Sequence, residues 1–412
     1  MDPFNLTAIE PVAHKIGGQT SALSTLKLKR LACWLAVGIG LLAGLHAGAK
    51  AQTIKIGVIA PMTGPAAQFG LATAGGPKIV AADINAKGGL EVGGKKYPVE
   101  VIAYDDQYKA ADAIAAYGRL VKENGVKFVF VMTSPSTVAI KQLAEEDKVM
   151  VFTSSVTPKA FDDNTRYMFR LYTPPSMFIS PLSSWIRANM KERRILTLNP
   201  NDETGWAQTE ISSGIFKKDG FEVVGTELYE RATKDFAPLL TKILGLKPEL
   251  IDMGGTAPGT AGLIVRQARE QGFKGTFLQT GVGGPKEIVA AAGNAASEGT
   301  LQMLYGDTGN AGYQRIIAEY KKVNNGQEPH HFIVPFVDAT NVLLRSIQIA
   351  GDVNDTSKIV DSFAKALPMK SLHGDELGLG GKATIGIDHQ ITTVNYIAVI
   401  RNGQPVIVGK VR

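Results

Sequence analysis

The hydrophobic pattern alternates between two kinds of segment along most of the chain. Short β-branched, apolar runs typical of buried strands are followed by longer segments with apolar residues at helical spacing. The first series predicts strands over 54–60, 99–104 and 126–132, separated by helical segments such as 110–123 and 137–146. Such alternation predicts right-handed βαβ units and a parallel sheet.

A second series of the same kind follows the first. Its predicted strands cover residues 194–199, 221–228, 250–253 and 276–279. From residue 309 the pattern becomes helical, and it ends in two strand-like pieces joined at Asn402-Gly403, a pair typical of a hairpin turn. Two consecutive series predict the α/β fold class, with two similar parallel-sheet lobes that are each doubly wound.

Hydroxyl-bearing loops follow two strands of the first series. Ser134 comes directly after strand 126–132 and also opens a helix, whereas Ser155 and Thr157 follow the strand over 149–153. Open α/β sheets bind ligands at the carboxyl ends of their strands, and hydroxyls, backbone N–H groups and a helix N-terminus suit a carboxylate. Ordinary helix N-capping is the competing interpretation of these residues.

Composition places the chain among globular proteins. It has 412 residues, of which 44% are hydrophobic and 20% charged, and this length suits two domains. The formal charge is +6; residues 1–51 carry +3 of it, which leaves about +3 for the remainder, too little to indicate a nucleic-acid partner. Cys33 is the only cysteine, so the chain after residue 51 offers no thiol for a disulfide, a nucleophile or a metal site.

Residues 1–51 are predicted to be an N-terminal extension followed by a secretory signal peptide. A basic cluster at 27–30 precedes an apolar run over 31–49, which closes with the small residues of Ala49-Lys50-Ala51. A membrane anchor is the alternative, because the apolar run approaches the length that spans a bilayer. The glycines, His46 and the cleavage-like end favour the signal peptide.

Three motifs carry a resemblance to a known family. Ala-Pro-Met-Thr-Gly-Pro-Ala-Ala-Gln-Phe-Gly at 60–70, Ala-Asp-Ile-Asn-Ala-Lys-Gly-Gly at 82–89 and Tyr104-Asp105-Asp106 resemble the periplasmic binding proteins of branched-chain amino acid transporters. The resemblance continues in order to the C-terminus. It implies the type I periplasmic binding fold, whose lobes are joined by a three-strand hinge, a periplasmic location and an inner-membrane ABC permease as partner. We also expect a monomer.

The resemblance implies where the lobes begin and end, and which residues contact a ligand. Lobe 1 would comprise 53–172 plus 306–385, and lobe 2 would comprise 173–305 plus 386–412. The implied ligand contacts from lobe 1 are Phe69, Ser134, Ser155, Val156 and Thr157. Those from lobe 2 are Thr204, Thr256 and Gly281. Two loops after neighbouring strands, together with this resemblance, favour a ligand site over simple N-capping.

The sequence departs from the family at the position that recognises an amino group. Amino-acid binders of the family carry an acidic residue in the loop that here contains Gly281, and residues 279–284 hold no carboxylate. A buried ammonium without an anionic partner is costly. Asp202 or Glu203 could substitute, although an acid in an exposed loop is usually just solvated. A branched-chain or other amino acid and an aromatic or short aliphatic acid therefore both remain candidates, and Trp206 and Tyr305 are further aromatic candidates to line the pocket.

The sequence contains no ordered set of nucleophile and base. His330-His331 suggests a metal at first sight, but adjacent residues point to different faces and no third ligand is spaced with them, so we expect a polar loop. We expect no catalytic residue, no metal and no cofactor. The predicted function is capture of a small carboxylate ligand between two lobes by hinge closure. A ligand sensor on the same fold and a hydrolase are the alternatives.

Overall fold

Two sheets organise the computed structural model, which describes residues 52–411. The sheet of lobe 1 has the order β13-β14-β15-β7-β6-β5-β1-β4. Its strands are β1 Ile54–Ala60, β4 Val99–Asp105, β5 Phe128–Val131, β6 Met150–Thr153, β7 Met168–Arg170, β13 Met369–Lys370, β14 Glu376–Gly380 and β15 Gln390–Thr392. Strands β1, β4, β5, β6, β7 and β15 pair in parallel, and β13 and β14 add an antiparallel edge. A separate hairpin joins β2 Leu90–Val92 to β3 Lys95–Tyr97.

The sheet of lobe 2 has the order β17-β16-β12-β11-β10-β8-β9. Its strands are β8 Arg194–Pro200, β9 Glu222–Tyr229, β10 Leu250–Asp252, β11 Thr276–Gln279, β12 Leu301–Leu304, β16 Asn395–Arg401 and β17 Gln404–Val411. The last two strands are antiparallel and meet at the predicted turn. Asn402 has φ 51° and Gly403 has φ 74°, the positive values that this kind of two-residue turn requires.

Helices cover the faces of both sheets. In chain order they are α1 Ala67–Ala86, α2 Ala110–Gly118, α3 Ser134–Asp147, α4 Pro175–Asn189, α5 Glu203–Lys218, α6 Ala237–Leu244, α7 Pro258–Glu270, α8 Pro285–Ala292, α9 Asn294–Ser297, α10 Ala311–Val323, α11 Ile333–Ala350, α12 Thr356–Ser362 and α13 Lys382–Ile385. A π-helical turn, Arg119–Glu123, follows α2, and 3-10 turns lie at Gly64–Ala66, Pro158–Ala160 and Ala364–Ala366.

The strand registers build the core directly. Phe130, Phe152 and Phe169 are register partners on β5, β6 and β7, and their rings stack with centroids 5.3 and 5.6 Å apart. All three are fully buried, and each buried aromatic ring contributes a large apolar area to the core. This row of rings packs against the strands whose carboxyl ends form part of the cavity described below.

The chain passes three times between the two sheets, through residues 171–174, 305–310 and 393–394. Thr173 and Thr393 tie the first passage to the third, because the Thr173 hydroxyl donates to the Thr393 carbonyl oxygen at 2.8 Å and accepts from the Thr393 N–H at 2.7 Å. The third passage lies later than the expected change of lobe after residue 385. The reason is that Gln390 on β15 pairs with Arg170 on β7, which keeps β15 in the first sheet.

The predicted fold class, α/β with two parallel-sheet lobes, is confirmed. Among residues 52–411, only α11 is long and apolar enough to cross a membrane, and 72% of that helix is buried within the fold, as in the core of a lobe. The predicted signal peptide and its membrane-anchor alternative lie in residues 1–51, outside the described residues.

Candidate functional site

A cleft lies between the carboxyl ends of the two sheets. Lobe 1 lines it with hydroxyl and apolar groups from the ends of its strands: Met132, Thr133, Ser134, Ser154 and Val156. Aromatic rings of the same lobe close the sides: Phe69, Tyr108, Tyr172 and Phe332. Lobe 2 contributes small and neutral residues: Thr204, Gly254, Gly255, Thr256, Gly281 and Val282. None of these lining side chains carries a charge.

Ser134 occupies the first turn of α3, at the bottom of the lobe 1 wall. Thr133 caps this helix by accepting the Ser136 N–H at 3.2 Å, which leaves the Ser134 side chain turned to the cleft. The Ser134 oxygen accepts hydrogen bonds from the Ser155 hydroxyl and from the Val156 N–H, both at 3.2 Å. Because both bonds use lone pairs, the Ser134 proton remains for a ligand. The helix N-terminus adds partial positive charge, so this corner suits a carboxylate.

Phe69 stands at the mouth of the cleft, near the start of α1. A Cβ on the next residue, Gly70, would lie 2.0 Å from the Pro61 carbonyl oxygen, so only glycine lets α1 approach the end of β1 this closely. The Phe69 ring meets His330 and Phe332 edge to face, at centroid distances of 4.9 and 5.6 Å. The ring is therefore fixed by its neighbours before any ligand arrives.

Tyr108 reaches the cleft from a strained turn after β4. Gln107 and Tyr108 have φ values of 48° and 64°, which are unusual for residues other than glycine. Asp105 and Asp106 hold this turn, since their carboxylates accept the N–H groups of Gln107 at 2.8 Å and Tyr108 at 3.0 Å. Backbone strain of this kind is often found at binding sites.

The lobe 2 wall is built from glycines that cannot carry a side chain here. A Cβ at Gly281 would lie 2.0 Å from the Gly254 carbonyl oxygen, and a Cβ at Gly254 would lie 2.4 Å from the Gln208 amide. Behind this wall lies the carboxylate of Asp252, which accepts the Thr280 hydroxyl at 2.8 Å. Asp252 is fully buried, and burial raises its pKa to about 6. The backbone of this wall thus leaves no room for a carboxylate side chain at Gly281, in the loop where the resemblance implies an acidic residue for amino-acid binders.

The lobes touch on both sides of the cleft. On one side the hydroxyls of Tyr108 and Thr204 share a hydrogen bond of 3.0 Å, and the Arg231 guanidinium stacks 3.6 Å from the centre of the Tyr108 ring. Asp202, the N-cap of α5, pairs with Arg231. A further ion pair joins Lys159 of lobe 1 to Glu203 of lobe 2 at 3.2 Å. These contacts hold the cleft closed.

Two histidines make the contact on the other side. His331 accepts the Tyr305 N–H through Nδ1 at 3.2 Å, and its Nε2 donates to the Gly283 carbonyl oxygen at 2.8 Å. His330 and His331 are 6% and 8% exposed, with ring centroids 4.2 Å apart. The expectation of a polar loop at this pair is therefore wrong, because the segment is enclosed between the lobes. Burial lowers the pKa of His330 to about 3, so this ring is neutral.

The structure divides the residues predicted to contact a ligand into two groups. Six line the cleft: Phe69, Ser134, Val156, Thr204, Thr256 and Gly281. Ser155 and Thr157 lie behind it: Ser155 supports Ser134, whereas the Thr157 oxygen accepts the Lys159 N–H at 3.4 Å. Contact of any of these residues with a ligand stays a prediction.

Two aromatic residues suggested by the sequence, Trp206 and Tyr305, do not line the cleft. Several residues that do line it were not predicted from the sequence. Trp206 is 44% exposed and donates to Asn201, whereas Tyr305 is buried at the passage between lobes. Tyr108 could have been predicted, because it follows β4 as Ser134 follows β5, and ligands bind at the carboxyl ends of such strands. No sequence pattern identified Phe332 as a lining residue, since it comes from the start of a helix far along the chain. Within residues 52–411, no cluster of three or more His, Cys, Asp or Glu side chains is placed to hold a metal ion.

Comparison with known proteins assigns this geometry to a class. The family model described as periplasmic binding protein matches residues 53–405. The chain therefore belongs to the periplasmic binding protein family, and it is a binding protein of the ABC-transporter type, not an enzyme.

The relatives it resembles include proteins named for the amino acids that they bind. The leucine-, isoleucine-, valine-, threonine-, and alanine-binding protein of Pseudomonas aeruginosa is 29% identical over 334 residues, which cover 80% of this chain and 87% of that protein. The Leu/Ile/Val-binding protein of Escherichia coli K12 is 27% identical over 333 residues, or 79% and 86% of the two chains.

Solved structures share the fold at lower identity. The leucine-binding protein LivK of Thermotoga maritima has a TM-score of 0.74 at 22% identity and covers 87% of this chain and 99% of its own. A solute-binding protein of an ABC transporter from R. palustris, in complex with benzoate, has a TM-score of 0.72 at 19% identity, with 87% and 96% covered. These likenesses establish the type I periplasmic binding fold, and membership of this family implies a periplasmic location.

Proposed function

We propose that this protein captures a small organic acid without an amino group, as a monomer, and presents it to an inner-membrane ABC permease. The observation that carries the proposal is the chemistry of the cleft lining: hydroxyls and a helix N-terminus on one wall, and uncharged threonines and glycines on the other. This arrangement offers donors for a carboxylate and no anion for an ammonium. An aromatic or short aliphatic acid matches the chemistry of both walls.

The electrostatic cost supports an acid over an amino acid. A zwitterion would have to bury its ammonium against Thr204, Thr256 and Gly281, and a buried cation without an anionic partner is strongly disfavoured. The four rings around the cleft favour a flat apolar body, because they provide edges and faces against which it can pack.

A branched-chain amino acid is the second candidate, and the relatives favour it. The Pseudomonas aeruginosa relative is named for its binding of leucine, isoleucine, valine, threonine and alanine, and its match extends along most of both chains. For this chain the ammonium would need a hydroxyl and carbonyl cage in place of a carboxylate. We rank it second for that reason.

A ligand panel tests the proposal. The protein would be titrated calorimetrically with benzoate, 4-methylpentanoate, leucine and benzylamine, after removal of any carried-over ligand by unfolding and refolding. We expect binding of at least one acid, weaker binding of leucine and none of benzylamine. Tighter binding of leucine than of both acids would reject the first candidate in favour of the second. Chemical turnover of any ligand would contradict a binding function.

Closure of the cleft gives a second prediction. Tyr108→Phe keeps the ring under Arg231 but removes the hydroxyl that bonds Thr204 across the cleft. A neutral hydrogen bond contributes about 0.5–1.5 kcal/mol, so we expect the affinity for the acid found in the panel to fall roughly twofold to tenfold. The matched control is Tyr104→Phe, whose hydroxyl bonds Asn124 within lobe 1. Equal effects of the two substitutions would show that the contact between the lobes does not stabilise the closed form.

A further inference from the structure

Arg170, at the end of β7, is a buried cation that directly supports the loop of residues 154–157. It is 2% exposed, and its guanidinium donates through Nε to the Ser155 carbonyl oxygen at 3.1 Å and through Nη2 to the Thr157 carbonyl oxygen at 3.2 Å. Val156, the residue between those two carbonyls, lines the cleft. The guanidinium and the cleft are therefore separated by the thickness of one backbone segment.

The charge of Arg170 has no anionic partner among residues 52–411. Its third contact is the neutral side-chain oxygen of Gln390 at 3.4 Å, and the ring of Phe161 lies 4.8 Å from the guanidinium carbon. Burial lowers the pKa of Arg170 to about 10, so the group stays protonated at neutral pH. A buried charge is normally paired, because the loss of its hydration is costly.

Asp106, a buried carboxylate of lobe 1, is engaged elsewhere. Asp106 accepts the Ser136 hydroxyl at 2.6 Å and the Tyr108 N–H at 3.0 Å, at the turn after β4. The positive charge beneath residues 155–157 and the N-terminus of α3 thus act from two directions on the corner occupied by Ser134. Both favour a negative charge at that point.

We propose that Arg170 is the counter-charge for an anionic ligand, acting through the loop of residues 154–157 without touching the ligand. The inference rests on the proposed function and deepens it: the site selects the ionised carboxylate over a neutral group of the same shape. Arg170 is a positioning residue in this account, because it also fixes the Ser155 carbonyl, whose peptide carries the Val156 N–H that donates to Ser134. In a low-dielectric site a fixed charge of this kind is worth more than it would be in water.

The test compares an acid with its primary amide. Benzoate against benzamide, and 4-methylpentanoate against 4-methylpentanamide, differ in charge and hardly in shape. We expect wild-type protein to bind the acid of the better pair at least tenfold more tightly than its amide. Equal affinities would overturn the inference, whereas wild-type protein that binds neither acid would reject the proposed function and the inference with it.

Two variants at position 170 separate charge from support of the loop. Arg170→Gln should reduce the acid-to-amide ratio roughly tenfold, and Arg170→Lys, which keeps the charge but not the paired carbonyl contacts, should preserve the ratio even where both affinities fall. A purely structural Arg170 predicts that glutamine and lysine weaken acid and amide alike. That result would overturn the inference while leaving the proposed function intact.

Gln390→Glu tests the same effect of charge with Arg170 in place. It can be used if Arg170→Gln fails to fold. It sets a carboxylate against the guanidinium at the position of the neutral oxygen, and the pair becomes electrically neutral while the bonds to Ser155 and Thr157 remain. We expect a roughly tenfold loss of acid-to-amide preference. Gln404→Glu, the same charge change at an exposed site on β17, serves as the control and should leave the ratio unchanged. An unchanged ratio in Gln390→Glu would overturn the inference.

Discussion

Replacement of Ser134 by alanine is expected to lower the affinity for the bound acid roughly tenfold to a hundredfold. Ser134 accepts two hydrogen bonds within the protein and keeps its own proton for the ligand. A hydrogen bond to a charged group contributes about 1.5–3 kcal/mol, and the loss extends further because the Val156 N–H and the Ser155 hydroxyl then lack their acceptor. Isothermal titration with the acid found in the panel measures the change.

The control for this substitution is another buried serine of lobe 1. The hydroxyl of Ser346 donates to the Val342 carbonyl oxygen within α11, away from the cleft. Ser346→Ala should leave the affinity unchanged within a factor of two. An affinity of Ser134→Ala within twofold of wild type would mean that the carboxylate does not bind at the N-terminus of α3.

Thr157→Ala should have a smaller effect than Ser134→Ala, because its side chain lies behind the cleft.

Asp338→Asn is expected to stabilise the protein above neutral pH and to have little effect near pH 4. Asp338 lies on α11, is 2% exposed and accepts the Leu372 N–H at 2.8 Å. Burial raises the pKa of this carboxyl from 3.8 to about 7. The folded state therefore holds a proton between those values that the unfolded state has lost, so ionisation lowers the free energy of unfolding as the pH rises from 4 to 7.

The size of the expected stabilisation follows from the pKa shift of Asp338. About three pKa units correspond to roughly 4 kcal/mol at full ionisation, as an order of magnitude. Asparagine keeps the oxygen that accepts the Leu372 N–H and cannot ionise. Thermal unfolding between pH 4 and 8 should show a melting temperature for Asp338→Asn that exceeds wild type by several degrees at pH 8, with the gap closing as the pH falls.

The surface residue Asp388 provides the matched control, since its replacement by asparagine makes the same chemical change where solvent is present. Its melting curve should follow that of wild type across the pH range. Parallel curves for Asp338→Asn and wild type would show that Asp338 does not control the pH dependence of stability in this window.

Only the lining residues that directly follow a strand could be predicted from the sequence. Ser134 and Thr204 each come just after an apolar strand, and the rule that parallel strands present their carboxyl ends at one edge places them at the cleft. The same rule could not separate Ser134 from Thr157, because both follow strands of one sheet. Their different positions depend on the hydrogen bonds of residues 154–159 and on the Arg170 guanidinium, which enters from a strand that gave no clear pattern.

The sequence alone determined the two series of strands and helices, the hairpin at Asn402-Gly403 and the absence of an acidic residue over 279–284. The strands and helices depend on local hydrophobic periodicity, the hairpin on its turn residues, and the missing acid on residue identity. All three can be read directly from one sequence. Only the tertiary structure decided that Tyr108 lies across from Thr204 and that His330 and His331 are enclosed between the lobes. Such contacts join residues far apart in the chain, and no local pattern encodes which distant segment meets another; the packing of the whole chain sets them.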